Sequence, residues 1–167
     1  MNKILIVGAS GQLGSTILKQ LSKEGKKVLA FIRASSKFNQ ANDPRIEVFQ
    51  GDLKNFSDIK KACAQVKHVI ATASSIIPLK GECFGEDEIL YYRNLIQACK
   101  INNIEHLVFI SAFPSPFDKF IPEFKVKRKI EKLIIDSGVP YTIFRTAAFM
   151  DVYYAVMGSN LVFEGVL

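Results

Sequence analysis

Short apolar runs alternate with stretches of helical periodicity along the chain, and that alternation admits few folds. Residues 4–7 are a bare apolar run closed by Gly8. Leu13, Ile17, Leu18 and Leu21 then recur at three- and four-residue steps, which predicts an amphipathic helix over 12–24 stopped by Gly25. The same reading places strands at 28–32, around Ile46, Val48 and Phe49, at 68–71, at 107–110 and at 141–145. Helices are expected over 57–66, from Ile89 through Leu95, Ile96 and Cys99 to Asn102 and Asn103, and from Pro122 to the stop at Gly138 and Pro140. In that last helix Pro122 suits the first position, Glu123 suits the first turn, and Val126, Ile130, Leu133 and Ile134 form the buried stripe. Strands separated by helices pair in parallel through right-handed crossovers. The expected fold is therefore α/β: a doubly wound parallel sheet in a three-layer α/β/α arrangement, six strands in order 3-2-1-4-5-6.

The chain has 167 residues, enough for one domain with a core that needs no disulfide or metal staple, and a single domain over 1–167 is expected. Apolar residues make up 49% and charged residues 23%, which excludes general disorder and fibrous repeats. The uncharged apolar-leaning runs at 68–79 and 152–163 fall short of the ~18 residues a membrane helix needs. The apolar stretch near Met1 is too short for a signal-peptide centre, so a cytoplasmic location is expected. Cys63, Cys83 and Cys99 are odd in number and widely spaced, which points to free thiols and to no metal site. A net charge of +6 is a mild excess. Its densest cluster, Lys125, Lys127, Arg128, Lys129 and Lys132, lies on a predicted helix beside Glu123 and Glu131 and reads as a solvated face, so nucleic acid is not an expected partner.

The chemistry-bearing motif is Gly8-Ala9-Ser10-Gly11-Gln12-Leu13-Gly14, directly after the first strand and opening the first helix. Gly8 permits a tight turn, Gly11 lets the backbone approach a pyrophosphate with no Cβ in the way, and Gly14 lets the helix lie close on the sheet. Main-chain amides at the helix start, near Gln12 and Leu13, then face an anion with the helix dipole behind them. The loop-like stretches 34–44 and 74–86 follow strand carboxyl ends, the edge at which such sheets bind ligands.

The spacing is G-x-x-G-x-x-G rather than G-x-G-x-x-G, and with it the chain resembles the atypical short-chain dehydrogenases/reductases, above all the NmrA-like and isoflavone-reductase-like branch. The resemblance also rests on Phe31-Ile32-Arg33, Gly51-Asp52-Leu53, Asn94 to Ala98, His106 to Ser111, Lys127 with Glu131, and Ser137-Gly138-Val139-Pro140-Tyr141-Thr142-Ile143-Phe144-Arg145. It implies a Rossmann fold with bound NAD(P), with Asp52 and Leu53 flanking the adenine and Thr72 and Ala73 lining the ribose and pyrophosphate. It further implies that Lys127 holds the nicotinamide ribose and that Ser111 stands near the nicotinamide; as a residue alone, Ser111 equally reads as a strand-end serine bonding backbone. Asp52 alone reads as a turn or capping residue. Family members continue into a smaller substrate-binding region after the sixth strand. Here the chain ends at Leu167, so that region is expected to be largely absent, whether the chain is a short form or a fragment.

The second strand ends in Arg33, where an NAD-preferring domain carries an acid. A guanidinium there suits a 2′-phosphate, with Ser35, Ser36 and Lys37 nearby, so NADP(H) is expected over NAD(H). Short-chain reductases pair a Tyr with a Lys four residues later; four residues before Lys127 stands Glu123, read as a first-turn acid paired at i, i+4 with Lys127. His68 and His106 begin strands on the edge away from the expected ligand and read as structural. Phe113, Phe117, Phe120 and Phe124 would either roof an apolar pocket or pack a loop. The apolar tail containing Phe149, Tyr153, Tyr154, Val156, Met157, Leu161, Val162 and Phe163 would pack on the sheet, a second copy or a protein partner. Two readings stay open: an oxidoreductase passing hydride to a small carbonyl, enone or quinone-like acceptor, and a non-catalytic NADP(H)- or NAD(H)-sensing regulatory or scaffold protein.

Overall fold

The structure is a computed structural model and describes residues 3–40, 42–74, 85–114 and 120–147. Six strands, β1 (Ile4–Val7), β2 (Val28–Ile32), β3 (Ile46–Gln50), β4 (His68–Ala71), β5 (His106–Ala112) and β6 (Tyr141–Thr146), form one sheet. Every neighbouring pair is parallel and the order is β3-β2-β1-β4-β5-β6, as the alternation predicts. Four helices, α1 (Gln12–Lys23), α2 (Phe56–Cys63), α3 (Glu86–Ile101) and α4 (Pro122–Ile135), connect them.

Strand side chains alternate between faces, and two hydrophobic clusters follow. Leu5, Val7, Leu29 and Phe31 point into the cluster under α2, α3 and α4, where Tyr92, Leu95, Phe109, Ile130 and Ile134 are buried. Ile6, Ala30 and Ile32 point the other way, against Ile17, Leu18 and Leu21 of α1. The central strands are therefore apolar throughout, the pattern expected where helices cover both faces of a parallel sheet.

Boundaries differ from expectation where local hydrogen bonds decide them. The side chain of Asn55 accepts from the Ser57 amide at 3.0 Å, so α2 begins at Phe56. It ends at Cys63 rather than Val66, because the Gln65 and Val66 amides turn back to the carbonyls of Ala62 and Cys63. Strand β5 takes in His106 because it pairs with His68 of β4, and extends over Ser111–Ala112 because β6 pairs with it out to Thr146.

The basic cluster on α4 is not one solvated face. Lys125, Lys129 and Lys132 are exposed, but Lys127 is only 6% exposed and shares the inward stripe with Ile130, Glu131 and Ile134. Among the described residues no helix is long and apolar enough to cross a membrane.

Cys63 of α2 and Cys99 of α3 are both free and buried. A hydrogen bond with Cys63, then burial, pushes the Cys99 thiol far up. Peptide mapping after brief alkylation of the native chain should find neither thiol modified, whereas denaturant should expose both to full labelling. Native labelling of either would contradict this packing. Cys83 lies outside the described residues.

Candidate functional site

The turn after β1 is built so that its backbone stays bare. Gly8 has φ +86°, and a Cβ there would stand 2.7 Å from the Ala73 nitrogen. A Cβ on Gly14 would fall on the Gly8 carbonyl oxygen and lie 2.8 Å from Thr72 Oγ1. One on Gly11 would crowd the same carbonyl at 3.2 Å. The Gly11 amide closes the turn on the Gly8 oxygen at 3.0 Å, and no side chain caps α1. Thr72, just past β4, donates from its amide and its hydroxyl to the Val7 carbonyl, at 2.9 and 3.0 Å. Thr72 thus fastens the turn from behind. The first turn of α1 presents its amides to whatever anion lies in front.

In front of the turn lies a cleft of about 260 Å³, lined by Gly8, Ser10, Gly11, Phe31, Ile32, Arg33, Asp52, Leu53, Ser74 and Tyr91. A neighbouring hollow, bounded by Ala34, Ser35, Gln50, Gly51 and Asp58, shares Arg33 and Asp52 with it. The cleft opens at the carboxyl ends of β1, β2, β3 and β4, on both sides of the switch point at which strand order reverses. Its wall combines a glycine cradle that a Cβ would fill, an uncapped helix start, an apolar slot and a guanidinium. That lining fits a dinucleotide.

Six residues singled out from the sequence, Gly8, Ser10, Gly11, Arg33, Asp52 and Leu53, come together in this one cleft. Gln12, Leu13 and Gly14 form the adjoining first turn of α1. Asp52 also shapes its loop: its side chain accepts from the Lys54 amide at 2.9 Å, and its own amide donates to Asp58 at 3.1 Å. Thr72 and Ala73 stand behind the turn, the Ala73 carbonyl accepting from buried Tyr92 at 2.8 Å, and Ser74 is the residue of that segment that reaches the cleft. Burial, with the Glu88 charge second, holds the Tyr92 phenol well above its usual range.

Lys127 does not pair with Glu123. Its ammonium lies 2.7 Å from Oε1 of Glu88, a residue of α3 that is 2% exposed, and 5.4 Å from the centre of the Phe109 ring. The i, i+4 spacing fits a surface pair, but Lys127 faces inward with Ile130 and Ile134, where Glu88 meets it. Ser74 connects this pair to the cleft, donating to Glu88 Oε2 at 3.2 Å and accepting from Lys127 at 3.5 Å.

Ser111 is buried and bonds a side chain, not backbone: its hydroxyl donates to Glu131 of α4. Glu131 also receives Arg128 and, at 2.9 Å, Arg145 of β6. Burial pushes the Glu131 carboxyl up, but hydrogen bonds from Arg145 and Ser111 and the charges of both arginines outweigh it and hold the carboxyl below its usual range. His106 bonds Thr142 at 2.8 Å across β5 and β6, at the edge away from the cleft. Phe113 and Phe120 are largely exposed and Phe124 is half-buried, while Phe117 and the apolar tail from Phe149 to Phe163 lie outside the described residues.

Sequence reasoning missed Glu88, Ser74, Tyr91 and the apolar walls Phe31 and Ile32. Glu88 did leave a signal. It precedes Tyr91, Tyr92, Leu95 and Ile96 by three, four, seven and eight residues, the position of an apolar residue on the same helix face.

Residues 8–161 match a family model described as NAD(P)H-binding. The chain is 28% identical over 146 residues to photosystem II assembly factor Ycf39 of Cyanophora paradoxa, covering 87% of this chain and 45% of that protein. It is 28% identical over 176 residues to the isoflavone reductase homolog A622-like of Nicotiana tabacum, covering 94% and 52%. A Rossmann-fold NAD(P)-binding family protein from Shigella flexneri superimposes with TM-score 0.70 at 27% identity, over 87% of this chain and 66% of that one. The chain spans about half the length of the curated relatives it matches. The glycine cradle, the strand order and these matches agree: the chain belongs to the NAD(P)H-binding family.

Proposed function

We propose that the chain binds NADP(H) in preference to NAD(H) and forms the cofactor-holding part of an oxidoreductase that reduces a small carbonyl or quinone-like acceptor. The observation that carries the cofactor choice is Arg33 at the end of β2, on the wall shared by the cleft and the neighbouring hollow. A guanidinium favours a phosphate over a ribose hydroxyl, and no acid stands at that strand end to accept from the hydroxyl. The isoflavone reductase homolog among the relatives supports the reductase reading.

In this reading Gly8, Ser10, Gly11, Gln12, Leu13 and Gly14 hold the pyrophosphate, Asp52 and Leu53 flank the adenine, and Thr72 and Ala73 support the turn. Lys127, reaching through Ser74, holds the nicotinamide ribose, and Ser111, its hydroxyl bonded to Glu131, stands near the nicotinamide. The chemistry that a bound nicotinamide supplies is hydride transfer. The chain's share is to bind and orient.

Titration with NADPH and NADH tests the preference. Arg33→Ala should weaken NADPH binding by about tenfold or more, the worth of one charge-assisted phosphate contact, and leave NADH unchanged. Equal affinities for the two coenzymes in the unaltered chain would remove the argument.

A second reading has its own observation. Glu123 stands where the family carries its Tyr, and Lys127 is engaged by Glu88. Both favour a protein that senses the coenzyme without turning it over. Stopped-flow oxidation of bound NADPH across a panel of quinones and aldehydes separates the two: turnover supports the oxidoreductase, and silence across the panel supports the sensor.

A further inference from the structure

The pair formed by Glu88 and Lys127 is the most deeply buried ion pair among the described residues, with side chains 3% and 8% exposed. Two buried charges cost more desolvation than a pair of apolar residues at the same place, so fold stability is a weak reason for having them. What sets this pair apart is its outlet. Ser74 bonds both partners and lines the cleft, and Tyr91, one turn after Glu88 on α3, lines it too. The pair lies behind β4 and β5, on the opposite side of the switch point from Arg33, Asp52 and Leu53. A dinucleotide with its adenine at Leu53 and its pyrophosphate on Gly8 and Gly11 extends toward that side.

We propose that Glu88 is the positioning residue for Lys127: its carboxylate directs the ammonium toward Ser74, so that the lysine meets the ribose of the coenzyme's nicotinamide half. This rests on the dinucleotide reading above. Glu88 acts through Lys127 and touches no ligand itself. Ser74, which donates to Glu88 and accepts from Lys127, is the point at which the pair reaches the cleft.

The test is a mutant cycle read by calorimetry with two ligands, NADPH and adenosine 2′,5′-bisphosphate, which lacks the nicotinamide half. Glu88→Gln and Lys127→Met should each weaken NADPH about tenfold, as expected for one charge-assisted contact, and the double variant should lose the same tenfold rather than a hundredfold. None of the three should change the bisphosphate affinity. If Glu88→Gln does not fold, Glu88→Asp retains the charge on a shorter arm and should give a smaller loss for NADPH and none for the bisphosphate. Additive losses, unchanged NADPH affinity in Glu88→Gln or Glu88→Asp, or equal weakening of both ligands would overturn the assignment. An unaltered chain that binds neither NADPH nor NADH would instead overturn the dinucleotide reading, and the assignment with it.

Discussion

Replacing Gly14 with alanine should destabilise the chain by about 2–3 kcal/mol and lower NADPH affinity by more than tenfold, the cost of forcing an extra carbon into a packed site. Helix propensity argues for the opposite sign. Gly14 lies inside α1, where alanine in place of glycine ordinarily stabilises by up to about 1 kcal/mol. The added Cβ decides the balance, because it would fall on the Gly8 carbonyl oxygen and against Thr72 Oγ1 at 2.8 Å. Both are fixed: the Gly8 oxygen accepts the turn-closing amide of Gly11, and Thr72 is bonded to Val7. The helix start would have to lift from the turn, and its amides would no longer converge in front of Gly8 and Gly11. Urea unfolding and NADPH titration of Gly14→Ala check both effects. A stabilised variant with unaltered affinity would refute the close approach.

A second large effect is expected at Glu131. Glu131→Gln removes the counter-charge of Arg128 and Arg145 while keeping an acceptor for Ser111, and should cost about 3 kcal/mol at neutral pH, the lower end of the range for breaking a buried pair because Arg145 is half open to solvent. The pH dependence carries the same information. A carboxyl held below its ordinary value of 4.5 adds stability that is fully present above that value. As pH falls below 4.5, the unfolded chain takes up the proton first, and the contribution is lost as pH drops through the lower folded value. Unfolding free energies measured at pH 7, 5, 4 and 3 should therefore fall steeply over the last steps in the parent and less steeply in Glu131→Gln. Parallel curves would remove Glu131 from the account.

Hydrophobic periodicity was enough to read β4 over 68–71 and β2 over 28–32, because inner strands of a parallel sheet are apolar on both faces. It stopped short on β5. The extent of that strand is set by its pairing, with His68 of β4 at one end and with β6 out to Thr146 at the other, not by the hydropathy of His106 or Ser111. The turn was legible down to individual residues for a steric reason: Gly8, Gly11 and Gly14 are each where a Cβ would collide, so composition reports geometry directly. Lys127 was legible as a position but not as a contact. Its partner comes from another helix, 39 positions away, and a spacing rule sees only its own helix. Ser111 shows the same limit, since its bond partner Glu131 lies across the β5–α4 connection. Where a charged residue occupies an apolar stripe, as Glu88 and Lys127 both do, the sequence signals a buried charge without naming what neutralises it.

The central claim is that the main-chain amides of the turn after β1 hold a diphosphate, and amide chemical shifts of nitrogen-15-labelled protein during NADPH titration test it most directly. The account predicts that the largest shifts fall on Gly8, Ser10, Gly11, Gln12 and Leu13, with Arg33 and Asp52 next, all with one common affinity. Saturation of the coenzyme with those amides unmoved, or with the largest shifts on the α4 lysines Lys125, Lys129 and Lys132, would contradict it.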